Sequence, residues 1–149
     1  MKKTLSIAAL SLLSLSSLLT APAQAATATG TFNVGLTLTS KCEINNPTDL
    51  AMTYTSFQTG ASTGTSTINV KCTNTLPYSL ALDSLSVTDA DTNLTYTLAL
   101  SGATAAGTGA DQVITVTGNI ASGQSGNCAT ASCTNAASAN KQRTLTVTY

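Results

Sequence analysis

The chain has 149 residues, only 8% of them charged, with six basic and six acidic side chains, four Cys, no His and no Trp. Without a basic excess or a basic cluster, the composition excludes nucleic acid as a partner. Without His, the usual general acid–base residue is missing, which argues against an enzyme.

Taken in order, the first residues are not part of the fold. Lys2 and Lys3 precede an apolar run from Leu5 to Leu19, and Ala23-Gln24-Ala25 is a small-x-small cleavage site. This is the pattern of a secretory leader over residues 1–25, cut between Ala25 and Ala26. The run is shorter than the roughly 20 apolar residues of a membrane span. Removing 25 residues leaves 149 − 25 = 124, the size of one domain. That piece keeps four basic and six acidic residues, so its net charge is 4 − 6 = −2.

Residues 27–39 alternate strictly. Ala28, Gly30, Phe32, Val34, Leu36 and Leu38 share one face, with Thr, Asn and Gly on the other. A period of two predicts a half-buried strand. Ser40 to Pro47 carries Cys42 and Ile44 into an Asn45-Asn46-Pro47 turn. Leu50, Met52 and Tyr54 predict a short strand. Thr59 to Thr67 reads as a Gly/Ser/Thr loop. Ile68, Val70 and Cys72 form the next strand, followed by a turn to Pro77. Tyr78, Leu80 and Leu82 share a face, and Leu85 and Val87 are expected to continue the same sheet after a bulge at Asp83-Ser84. Asp89 to Asn93 is a polar turn. Leu94, Tyr96, Leu98 and Leu100 alternate cleanly. Ser101 to Ala110 reads as a loop. Ile114 and Val116 lead to Gly118 and Ile120. Ala121 to Asn140 is a long small-residue loop, and Leu145, Val147 and Tyr149 form a last strand. No stretch after residue 25 has a 3.6-residue period. About seven short strands between turn signals predict an all-β sandwich.

Behind a leader, the four cysteines are expected as disulfides. Three pairings are possible, and the expected one is Cys42–Cys72 with Cys128–Cys133. In the chain-entropy description the first is worth roughly 3–4 kcal/mol and the second roughly 2. Zinc is disfavoured, because the chain lacks His and CxxC spacing. Other chemical motifs are weak. Asp89-x-Asp91-x-Asn93 has calcium-loop spacing, but Leu94 and Leu100 stand where such a loop needs Gly and Glu. A hairpin turn accounts for the same residues. Asn93-Leu94-Thr95 fits a glycosylation sequon, which the strand alternation explains equally well. Ser40 and Lys41 are strand neighbours and point to opposite faces, so they make no dyad. No catalytic residue, metal or cofactor is expected.

A set of motifs points to one family. Gly30-x-Phe32-x-Val34-x-Leu36-x-Leu38 is followed by Cys42; then come Ile68-x-Val70-x-Cys72-Thr73, Pro77-Tyr78-x-Leu80-x-Leu82 and Leu94-x-Tyr96-x-Leu98. Thr117-Gly118 and the closing Leu145-x-Val147-x-Tyr149 complete it. In this order the chain resembles the spore coat U domain, the subunit family of archaic (Csu-type) chaperone–usher pili. The resemblance implies an incomplete immunoglobulin-like sandwich that lacks its last strand. It implies residues 26–39 as an N-terminal donor strand and 40–149 as the pilin domain. The donor face would be Gly30, Phe32, Val34, Leu36 and Leu38. Leu145, Val147 and Tyr149 would border the acceptor groove and anchor the chaperone, with the Tyr149 carboxylate open to basic side chains.

The partners implied are identical or related pilin subunits in a head-to-tail fibre, a periplasmic chaperone and an outer-membrane usher, with no small-molecule substrate. The product would be a surface fibre, reached through the periplasm, for adhesion and biofilm formation, and the layout is that of a shaft subunit. Two features depart from the family pattern. The Gly-x-Tyr-x-Asp-like stretch before the last strand is replaced by Asn140-Lys141-Gln142-Arg143-Thr144, and Cys128–Cys133 is an addition. The alternatives are a soluble secreted carbohydrate-binding β-sandwich, with Tyr54, Tyr78 and Tyr96 as its surface, and a spore or cyst coat component.

Overall fold

The computed structural model describes residues 24–149; of the leader expected over residues 1–25, residues 1–23 lie outside the described residues. The chain divides into two units between Leu36 and Thr37. In the first, residues 24–36 belong to no sheet and every one of them is exposed. The strand expected over residues 27–39 is therefore absent. A strand exists only as one side of a hydrogen-bonded ladder, and alternation supplies a face without supplying a partner.

The second unit is all-β, and all its ladders are antiparallel. Its strands are β1 (Cys42–Asn45), β2 (Ser62–Cys72), β3 (Pro77–Leu82), β4 (Ser86–Thr88), β5 (Thr95–Leu100), β6 (Thr104–Ala106), β7 (Asp111–Ile120) and β8 (Leu145–Thr148). One sheet has the order β1-β2-β7-β5-β4 and the other β6-β3-β8. Ile68, Val70, Ile114, Val116 and Leu98 of the first sheet are buried, as are Tyr78 and Leu80 of the second. Their packing joins the sheets into the expected sandwich.

Several elements differ from the sequence expectation. Of the loop expected at Thr59–Thr67, Ser62 onward is the first half of β2, because Gly64 and Ser66 point inward while Thr63, Thr65 and Thr67 point to solvent. Small inward residues carry no hydrophobic signal. They are small because of what covers them. Gly64 and Gly118 are register partners across β2 and β7, and the chain around Leu50 to Met52 crosses directly above them. A Cβ on Gly64 would sit 2.2 Å from the Ala51 carbonyl oxygen, and one on Gly118 would meet Leu50 Cδ2 at 2.8 Å. Leu50, Met52 and Tyr54 are half-buried in alternation, as expected, but they form no ladder.

Leu85 and Val87 do not extend the sheet of β3. The chain changes sheets at Asp83-Ser84, so β4 pairs with β5 instead; Val87 is buried and Leu85 exposed. Thr104–Ala106, expected within a loop, adds to the outer edge of β3. The last strand stops at Thr148, and Tyr149 is exposed beyond it.

The long loop after β7 holds one end of the sandwich. Gln124 uses its side-chain amide like a strand residue: Oε1 accepts from Thr95 N (2.7 Å) and Nε2 donates to Thr95 O (2.8 Å). Its backbone N–H donates to the Tyr54 hydroxyl (2.8 Å). Asn127 N donates to Thr92 O (2.6 Å), and Asn140 Nδ2 donates to Thr88 O (2.7 Å). The β4–β5 turn is thus clamped from both sides.

Asp89, 3% exposed, organises that turn. Its Oδ1 accepts from Thr92 N and Thr92 Oγ1, both at 2.8 Å, and from Asp91 N at 3.2 Å. Burial pushes the Asp89 carboxyl upward, but hydrogen bonds to its charged form, from Thr92 first and then Ser138 and Asn135, together outweigh that and hold it below the usual carboxylate range. A depressed folded-state pKa contributes stability above the unfolded value near 4, lost as pH falls through the folded value. Asp89→Ala is expected to cost about 1–3 kcal/mol at pH 7. Denaturant unfolding at pH 7 and pH 3 checks this: the gap between wild type and variant should shrink in acid, and an equal gap at both pH values would refute the assignment.

Candidate acceptor edge and N-terminal segment

Two features stand out, open sheet edges in the second unit and an exposed apolar segment at the N-terminus. β8 pairs with β3 in the register Leu82↔Leu145, Leu80↔Val147 and Ser79↔Thr148. It ends the order of its sheet, so its other side carries no ladder among the described residues. β1 ends the opposing sheet in the same way. Leu145 and Val147 point inward and pack against the cluster of Cys42, Val70, Cys72, Tyr78, Leu80 and Ile114, as does Ile44 of β1. Leu145 and Ile44 also pack with Leu50 and Leu82 against Ile68, Leu98 and Val116. The β1 and β8 edges, unlike those of β4 and β6, therefore border one core along a shared seam.

That seam is incompletely covered. Ile44, Leu50, Leu82, Leu100, Leu145 and Val147 all touch the core yet remain half-exposed. Only Val70 and Cys72 have fully buried side chains among the described residues. The Tyr78 hydroxyl is buried on the same cluster without a hydrogen-bond partner. Half-buried aliphatics in a row beside unpaired backbone present what an extended segment needs: pockets for alternate side chains and a ladder for its main chain.

Cys42 and Cys72 are bonded and are register partners, tying the start of β1 to the end of β2. Thr73 N donates to Lys41 O (2.9 Å), and Lys41 N donates to Thr73 Oγ1 (2.9 Å). Lys41 Nζ and Glu43 Oε1 form an exposed ion pair at 2.6 Å. Cys128 and Cys133 are bonded within the exposed part of the long loop. Thus all four cysteines are paired.

In the N-terminal unit, Phe32, Val34 and Leu36 are 86%, 70% and 93% exposed. Leu38, just inside the second unit, is 81% exposed, and Gly30, Ala25 and Ala26 are exposed as well. Tyr78 is buried and Tyr54 and Tyr96 are half-buried, so the three tyrosines form no sugar-stacking surface. Burial of its ring pushes the Tyr96 phenol upward. Among the described residues no group of three acidic or cysteine side chains is placed to hold a metal. Asn93, at φ 52°, closes the Asp89–Asn93 turn in the left-handed conformation that Asn tolerates.

The family model of the Spore Coat Protein U domain matches residues 28–134. No curated protein and no solved structure matches the chain.

Proposed function

Because the chain belongs to the Spore Coat Protein U domain family, a family of pilus- and coat-type structural domains, we propose that it is a fibre subunit of the Csu-type that polymerises by donor-strand complementation. Residues 26–39 of one copy enter the seam beside β8 of another. Gly30, Phe32, Val34, Leu36 and Leu38 face the core, and the main chain completes the sheet. The observation that carries this reading is the presence in one chain of two unsatisfied halves. One is an alternating apolar segment with its large side chains in water; the other is a core whose bordering aliphatics are half-covered beside an unpaired edge.

Magnitudes favour association. Burying four large apolar side chains is worth roughly 6–12 kcal/mol as an upper value, and each ladder hydrogen bond adds about 1 kcal/mol. Donor segment and acceptor edge are different surfaces, so the contact is heterologous and leaves each new subunit with a free edge for the next. It propagates as a filament.

On this reading the leader at residues 1–25 routes the chain to the periplasm. There a chaperone lends its own strand to the seam until an outer-membrane usher exchanges it for the next subunit's segment. Leu145, Val147 and Tyr149 border the place both strands use. The fibre then serves adhesion and biofilm formation at the cell surface. The partial burial of the tyrosines counts against the carbohydrate-binding module. Material sheared from cells expressing the chain should run, unheated in SDS, as a ladder of subunit multiples that collapses on boiling. A monomer that stays soluble without a chaperone would favour the binding module instead.

A further inference from the structure

Phe57 is placed against its own interest. It is 72% exposed, and its φ is 65°, a left-handed conformation that a bulky residue rarely adopts. Gln58 N donates to Thr55 O (3.1 Å), making Thr55–Gln58 a turn with Phe57 third. A positive φ at that place favours Gly or Asn. The turn is nevertheless firmly built. Phe57 N donates to Gln124 O (2.8 Å), Gly123 N to Gln58 O (2.9 Å), Ser56 Oγ to Ser125 O (2.5 Å), and Gln58 Nε2 to Gly60 O (2.7 Å). Backbone strain and a solvated aromatic ring both cost stability, and a braced turn that retains both holds an aromatic anchor ready for a partner.

Chain direction identifies the partner. β1 begins, and β2 and β8 finish, at what we term the Cys42 end; β2 begins and β7 finishes at the opposite, Ile120 end. Phe57 belongs to the Ile120 end through its bond to Gln124, just past β7. All ladders in this fold are antiparallel. A donor segment antiparallel to β8 runs from the Cys42 end to the Ile120 end and emerges beside the Phe57 turn. Only Ser40 and Lys41 separate that segment from Cys42 of its own sandwich, so the donor copy's Cys42 end meets the recipient's Ile120 end. At the Cys42 end Lys41, Glu43, Lys71, Cys72, Thr73 and Gly109 line a shallow hollow. No charged residue occurs in residues 53–60 or 121–127, so an uncharged aromatic meets the apolar stems of two lysines, with the Lys41 cation already paired to Glu43.

Resting on the donor-strand reading above, we infer that Phe57 seats on a second copy of this chain, in the hollow lined by Lys41, Lys71 and Cys72. It forms a contact between successive sandwiches additional to the strand itself. The test uses fibres from the full chain. Phe57→Asn suits the left-handed turn, so its chaperone complex should melt no lower than wild type. Its fibres, however, should dissociate about tenfold faster in SDS at fixed temperature, the rate expected from losing one buried aromatic anchor. A benzoylphenylalanine placed at position 57 should cross-link neighbouring copies, with the adduct mapping to peptides holding Lys41 or Lys71. Wild-type dissociation rates from Phe57→Asn fibres, or adducts mapping only elsewhere, overturn the contact and leave the donor-strand reading standing. Absence of fibres from the wild-type chain overturns both.

Discussion

Val34→Arg is expected to abolish fibres while leaving the subunit recoverable as a chaperone complex. Val34 is 70% exposed and lies outside both sheets, so an arginine there costs the sandwich of its own chain nothing. On the donor-strand reading residues 26–39 enter another copy's seam as a strand, whose neighbouring side chains point to opposite faces. Val34 then shares the core-facing side with Phe32, Leu36 and Leu38, and an arginine there would bury an unpaired charge, a cost of several kcal/mol or more. Asn33→Arg, one residue away, points to solvent and should assemble normally. A chaperone pull-down beside a count of surface fibres measures both quantities. Normal fibres from Val34→Arg would refute the donor assignment, and loss of the chaperone complex would place Val34 in its own subunit's fold.

The second large effect is expected at the buried disulfide. Cys42→Ser with Cys72→Ser should cost roughly 3–4 kcal/mol, because the bridge closes a loop of 30 residues. The same bridge pins β1, a four-residue edge strand, to β2 at its first register pair, so its loss also frees one wall of the seam. Cys128→Ser with Cys133→Ser opens a loop of only five residues in an exposed segment, for a cost of roughly 2 kcal/mol at most. Guanidinium unfolding of the two double variants ranks them. Equal costs would mean that the bridges act through something other than loop closure. The first variant should also be recovered from the periplasm at reduced yield.

The sequence by itself determined the class of the fold and most of the inward-facing residues. A period of two, read at Ile68-Val70-Cys72, Tyr78-Leu80 and Ile114-Val116, survives folding because a pleated strand must send alternate side chains to opposite faces. The same logic makes the alternation at Gly30 to Leu38 visible although those residues form no strand in a single chain.

Tertiary structure alone decided what pairs with what. The sequence carries no mark at Asp83-Ser84 to say that the chain leaves one sheet for the other. The Gly/Ser/Thr half of β2 is loop-like in composition because its inner face is roofed by Leu50 to Met52, which leaves room only for glycine and serine. Thr104–Ala106, all small and exposed, becomes strand because β3 offers it an edge. Phe57 gave no signal, since an aromatic residue amid Ser, Thr and Gln is neither periodic nor part of a motif. Its significance lies in a positive φ and a solvated ring, quantities that exist only once hydrogen bonds to the distant loop at Gly123–Ser125 have fixed the turn.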